Sequence, residues 1–240
     1  MRVVYLHGFA SGPGSTKARF FQRQFERCGV EFTVPDLAAG DFEHLTITGQ
    51  LMVVERAAGG GPGLALAGSS MGGYLAALYA ARHPEVERLI LMAPAFGFAA
   101  RLEASVGPAE MTRWRETGSR TVFHYGDGSD RRLSYALMED RQRYEGFPEV
   151  TQPTLILHGT LDDVVPAAYS EQYARTHPNV RLVLLHSGHE LTDVTGRLWE
   201  ETAGFLGLDG SGPSQVRNMN TLPSTSSVER TRLALLYGPK

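Results

Sequence analysis

The chain predicts an α/β fold: a mostly parallel central sheet of about six strands with helices on both faces. Three observations carry that expectation. Short runs rich in leucine and β-branched residues alternate with longer helical patterns. Glycine or proline closes many of these segments. Chemistry-bearing residues cluster just past the ends of the apolar runs, where open parallel sheets hold their ligands.

Taken in order, residues 3–6 read as the first strand and residues 16–27 as a helix closed by Gly29. Residues 30–34 form the next strand, halted by Pro35-Asp36. Residues 42–58 read as a helix, and Gly59-Gly60-Gly61-Pro62-Gly63 turns the chain into a strand at 64–67. The helix at 71–82 ends at His83-Pro84, because a residue before proline avoids helical geometry. Strands follow at 88–92, 154–157 and 180–185, with helices near 167–176 and 190–206.

Two stretches break the alternation. Residues 96–152 are an insertion in which 121–125 and 131–135 flank Gly126-Asp127-Gly128-Ser129-Asp130, the pattern of a β-hairpin. Insertions between sheet elements often cover sites, so a small cap is expected here. Residues 1–207 then make one domain. Residues 208–240, rich in Gly, Ser, Thr, Asn and Pro, read as a disordered tail.

The whole-chain balance excludes several classes. With 23 Lys+Arg against 26 Asp+Glu, a net charge of −3 gives no reason to expect nucleic acid or an acidic membrane surface as partner. No apolar run is long enough to span a bilayer. The start, Met1-Arg2-Val3-Val4, enters a strand pattern without the apolar stretch of a signal peptide. Cys28 is the single cysteine, so no internal disulfide forms, and no Cys/His spacing suggests a metal. These features predict a cytoplasmic protein with Cys28 packed in the core.

The chemistry starts at Gly68-Ser69-Ser70-Met71-Gly72, set between a strand and an Ala-rich helix. In that setting the pattern is a nucleophile elbow: the serine sits on a strained turn that only small flanking residues permit. Ser70 is the nucleophile candidate, Ser69 a small turn residue, and the Met71 N–H a donor to a developing oxyanion. A serine hydroxyl needs a base, which a third group must orient. His189 lies on the loop after the strand at 180–185, where Gly188 is expected to let the chain turn sharply; His186 reads as structural. The acid comes from Asp162 or Asp163, both just past the strand at 154–157. His7 and His158, each before a glycine at a strand end, read as structural. Lys17 follows a Gly/Ser-rich loop but lacks phosphate-loop spacing, which argues against nucleotide binding.

Ser70, Asp162 and His189 occur in the order Ser…Asp…His, and in this the chain resembles the α/β-hydrolase superfamily. His158-Gly159-Thr160-Leu161-Asp162-Asp163-Val164-Val165-Pro166 looks like that superfamily's acid loop, which favours Asp162 as the acid. His7-Gly8-Phe9 resembles its oxyanion segment, which makes the Phe9 N–H the partner of Met71. The match covers about residues 2–206 and is most similar to small bacterial carboxylesterases and acyl hydrolases related to palmitoyl thioesterases. The resemblance implies hydrolysis of a small-molecule ester or thioester with no cofactor and no metal. Phe9, Met71, Phe96 and Trp114 are the expected apolar walls for the acyl group. A peptidase or acyltransferase on the same fold, or a non-catalytic binding protein, are the rival readings.

Overall fold

The computed structural model describes residues 1–209 of the 240-residue chain. Residues 210–240, most of the stretch read as a tail, lie outside the described residues. Six parallel strands build the main sheet: β1 (Arg2–Leu6), β2 (Glu31–Thr33), β3 (Leu64–Ser69), β4 (Val86–Met92), β7 (Thr154–Gly159) and β8 (Val180–Leu185). Their order is β2-β1-β3-β4-β7-β8. The chain runs outward from β1 to β2, then crosses back to lay β3 on the other side of β1. The strand order therefore reverses between β1 and β3, the kind of point where α/β sheets open a crevice at their carboxyl ends.

Alternate side chains of each strand enter separate cores, as the two-residue period requires. Val4, Leu6, Leu66, Leu91 and Ile156 pack with α2 (Ile47–Ala58), α3 (Met71–Ala80) and much of the insertion. Tyr5, Ala65, Ala67, Ile90 and Leu157 pack with α1 (Thr16–Arg27) and α8 (Thr195–Leu206). Helix α1 buries Lys17, Ala18, Phe21 and Phe25 on one stripe, and Ser15 caps it by accepting from the Ala18 N–H at 3.3 Å. Helix α3 is buried at every position, which its small and apolar residues allow.

The insertion carries α4 (Phe98–Val106), α5 (Pro108–Thr117), an antiparallel hairpin of β5 (Ser119–His124) and β6 (Ser129–Ser134), and α6 (Ala136–Asp140). The chain then regains the sheet at β7, and α7 (Ala168–Thr176) links β7 to β8. The hairpin is bound to the body at both ends. The Ser134 N–H donates to the Glu43 carbonyl at 2.7 Å, and the Gly126 N–H reaches the Ala10 carbonyl at 3.4 Å.

Several boundaries differ from those read off the sequence. Helix α2 starts at Ile47 rather than at 42, because the Thr46 hydroxyl accepts from the Gly49 N–H at 2.9 Å and sets the first turn there. Helix α8 starts at Thr195 rather than at 190, because Leu191 takes a left-handed conformation and residues 192–194 form a 3₁₀ turn. The hairpin strands begin two residues earlier than expected. Cys28 is exposed, not packed: the chain leaves the helix at that residue, before the stripe of Phe21 and Phe25 reaches it.

Candidate active site

Four loops leave the same carboxyl edge of the sheet, in two adjacent pairs on either side of β4. Strand β1 runs into Gly8-Phe9, β3 into Ser70, β7 into Asp162 and β8 into His189. Register holds them together: Leu6 pairs with Gly68, and Gly159 with Leu185.

Ser70 occupies the elbow between β3 and α3 with φ 55° and ψ −117°, a conformation an L-residue rarely adopts. The turn is held by the Ser70 N–H donating to the Met92 carbonyl at 2.9 Å and the Ala95 N–H donating to the Ser70 carbonyl at 3.0 Å. A Cβ at Gly68 would overlap the Gly72 carbonyl, and one at Gly72 would overlap the Leu6 carbonyl. Both glycines are therefore fixed by close backbone approach. Ser70 is the N-terminal flanking residue of α3, but its hydroxyl makes no capping bond. It points instead to His189.

The three predicted side chains form a continuous hydrogen-bonded line. His189 Nε2 lies 3.0 Å from Ser70 Oγ, and His189 Nδ1 lies 2.8 Å from Asp162 Oδ2. Asp162 has no exposed side-chain surface, whereas Asp163 is exposed. The geometry thus separates two carboxylates that the sequence left side by side. Burial pushes the Asp162 carboxyl upward, but hydrogen bonds from His158, His189 and the Val165 N–H outweigh it and hold the group below the usual carboxylate range. Asp162 is therefore an anion, suited to accept from His189 Nδ1–H and to stabilise a positive imidazole.

His158 and His7 take structural roles. His158, fully buried at the end of β7, braces Asp162 and the Val165 carbonyl. His7 accepts from the Leu37 N–H through Nε2 at 3.2 Å, tying β1 to the loop after β2. His186 is exposed on the strand end.

Gly188 does not play the expected part. It has open space around it and no left-handed backbone, so the turn does not require glycine there. The required glycine is Gly159, where a Cβ would overlap the Ser187 and Gly188 carbonyls. Its bare backbone lets the His189 loop cross directly over the end of β7.

Ser70 and His189 lie in a cleft of about 1420 Å³. One wall is the segment from Gly8 to Arg19 and another is the loop from Asp36 to Glu43; the hairpin turn around His124–Arg132 closes the outer side. Phe9 lines this cleft, packed on Phe42 at 5.7 Å and Phe98 at 6.5 Å between ring centroids. Phe42 and Tyr125 also line it, and neither was singled out in the sequence, because only tertiary packing brings them there. Phe96, Trp114 and Met71 are not cleft walls. Phe96 is fully buried and stacks on Tyr173 at 4.3 Å, Trp114 is buried with its indole N–H on the Leu133 carbonyl, and Met71 is in the core beneath the elbow. Their apolar bulk is spent on packing the insertion and the sheet rather than on the crevice.

A parallel sheet in this order, with a serine elbow after its third strand, is the α/β-hydrolase fold. Residues 2–205 match the uncharacterised protein family UPF0227, and the chain belongs to that family. Solved structures agree on the fold. Alpha/beta hydrolase domain-containing protein 10 from mouse is 24% identical, with a TM-score of 0.72 over 88% of this chain and 90% of that one. A putative hydrolase from Agrobacterium vitis S4 is 25% identical, with a TM-score of 0.72 over 85% and 87%. Est1E from Butyrivibrio proteoclasticus is 22% identical, with a TM-score of 0.66 over 86% and 88%. No curated protein matches the chain. Among the described residues, no helix is long and apolar enough to cross a membrane.

Proposed function

We propose that this chain is a serine hydrolase that cleaves carboxylic ester or thioester bonds through an acyl-enzyme. The observation that carries the reading is the unbroken Ser70–His189–Asp162 hydrogen-bond line, with its serine on a strained elbow at the floor of a cleft.

Ser70 Oγ attacks the carbonyl carbon as its proton passes to His189 Nε2. The carbonyl oxygen becomes an oxyanion, which accepts hydrogen bonds from the main-chain N–H groups of Phe9 and Met71. Two features support that assignment: Met71 opens α3, whose first turn Ser70 does not cap, and a Cβ on Gly8 would lie only 3.6 Å from Ser70 Cβ. The tetrahedral intermediate collapses, the C–O or C–S bond breaks, and the leaving alcohol or thiol takes the proton from His189. A water molecule then gives its proton to His189 and attacks the acyl carbon. Ser70 leaves with that proton and the carboxylic acid departs. Asp162 accepts from His189 Nδ1–H throughout and stays ionised.

The test is direct. Folded protein should be labelled covalently at Ser70 by a fluorophosphonate and should turn over p-nitrophenyl esters or acyl thioesters of graded length. A hydroxycinnamate ester belongs in the panel, because Est1E has been solved with ferulic acid bound. Ser70→Ala should lose about 10⁴-fold or more in kcat. Failure of folded wild type to be labelled, or unchanged turnover in Ser70→Ala, overturns the proposal.

A further inference from the structure

One cation near the cleft floor has no part in that scheme. Lys17, the second residue of α1, keeps only 8% of its side chain exposed. Its ammonium donates to the main-chain carbonyl of Glu190 and lies 3.6 Å from the carboxylate of the same residue. The carboxylate is 77% exposed, and a solvated partner gives little return for burying an ammonium. The main-chain contact is the informative one, because Glu190 directly follows His189.

The turn that carries His189 is anchored on both sides: the Ser187 hydroxyl donates to the Asp193 carboxylate, and Leu191 is buried in the core. Between those anchors an added Cβ on Gly188 would meet nothing within 4 Å, and Glu190 is exposed. Among the described residues, Lys17 is the one side chain that hydrogen-bonds the main chain of residues 188–191. It comes from the helix that follows the Gly8–Ser15 segment, so its bond ties the β1 side of the cleft to the β8 side. Burial pulls the Lys17 ammonium below its ordinary range, while Glu190 and Asp162 act to keep it charged.

We infer that Lys17 is a positioning residue: by holding the Glu190 carbonyl it keeps the His189 imidazole in line with Ser70. The inference rests on the serine-hydrolase reading of the site. It follows from distance tolerance, since a shift of about 1 Å in a reacting group can cost about 100-fold in rate.

The experiment compares wild type, Lys17→Met and Lys17→Arg on p-nitrophenyl acetate, with fluorophosphonate labelling rates and thermal midpoints measured alongside. Methionine keeps much of the packed stem and loses the charge and donors. Lys17→Met should lose about 10- to 100-fold in kcat with KM within about twofold, and its labelling rate should fall in step. Lys17→Arg, which restores a charged donor, should recover most of that loss. If Lys17→Met does not fold, Lys17→Gln, whose shorter amide falls short of the carbonyl, is read the same way. Wild-type kcat in a folded variant overturns the inference, as does a loss that Arg does not recover and that tracks only the thermal midpoint. Wild type that is neither labelled nor active removes the hydrolase reading and this inference together. Active, labelled wild type with an equally active Lys17→Met removes this inference alone.

Discussion

His158 and His189 share one oxygen of Asp162: His158 Nε2 lies 3.1 Å, and His189 Nδ1 2.8 Å, from Oδ2. The other oxygen, Oδ1, accepts from the Val164 N–H at 2.9 Å and the Val165 N–H at 2.7 Å. His158 Nε2 faces two acceptors, Asp162 and the Val165 carbonyl at 2.8 Å, so that nitrogen carries the hydrogen. Its Nδ1 then accepts from the Ser170 hydroxyl at 2.7 Å. A buried histidine with a fixed tautomer thus aims the carboxylate at His189.

Replacing the two neighbouring acids should give opposite results. Asp162→Asn offers an amide where His189 Nδ1–H needs an acceptor, which invites the wrong tautomer. We expect kcat/KM to fall about 10³- to 10⁴-fold on any ester the wild type cleaves. Asp163→Asn, on an exposed side chain, should stay within about twofold. Equal losses in the two variants would detach Asp162 from the chemistry.

The same carboxylate makes stability depend on acid. Its folded-state titration lies below the ordinary value of 3.8, since the hydrogen bonds from His158, His189 and Val165 overcome the opposing effect of burial. A carboxyl depressed on folding contributes fully above its unfolded value, and loses that contribution as pH falls towards its folded value. Urea midpoints of wild type should therefore drop from about pH 5 to about pH 3 more steeply than those of Asp162→Asn. Parallel curves would show that the carboxylate gains nothing on folding.

Much of this arrangement was legible in the chain for local reasons. Ser70 and His189 each sit one short step past an apolar run, and Gly68 and Gly72 mark the elbow by type and spacing. Asp162 could not be told from Asp163 by position, because adjacent residues past one strand end differ only in the donors that fold around them. Those donors come from His158, one helical turn back in sequence, and from a histidine 27 residues away. The boundaries that shifted did so at Thr46 and Leu191, where a side-chain cap and a left-handed residue override apolar periodicity. The cleft walls were hidden because loops from β2 and the hairpin meet only in three dimensions.

Gly159 and Gly188 offer a steric contrast within one loop crossing. An added methyl at Gly159 would overlap the carbonyls of Ser187 and Gly188, whereas one at Gly188 meets nothing within 4 Å. Gly159→Ala should destabilise by about 1–3 kcal/mol and lower kcat more than tenfold, because the His189 loop must move away. Gly188→Ala should leave the thermal midpoint nearly unchanged. Thermal unfolding of the two variants, read beside ester turnover, checks both halves.

Substrate selectivity should respond to Phe42 and not to Phe96. Phe42 lines the cleft and packs between Phe9 and His124, with its ring 4.7 Å from the latter. Phe96 lies in the core against Tyr173, with no exposed surface. Phe42→Ala opens a cleft wall, so KM should change across acyl esters of increasing length, with a modest stability loss. Phe96→Ala leaves a cavity away from the crevice; it should cost about 3–5 kcal/mol in urea unfolding while KM for the same esters holds in the fraction that stays folded. If Phe96→Ala instead reorders the acyl-length preference and Phe42→Ala leaves it untouched, the acyl group occupies a pocket beneath the insertion rather than the open cleft.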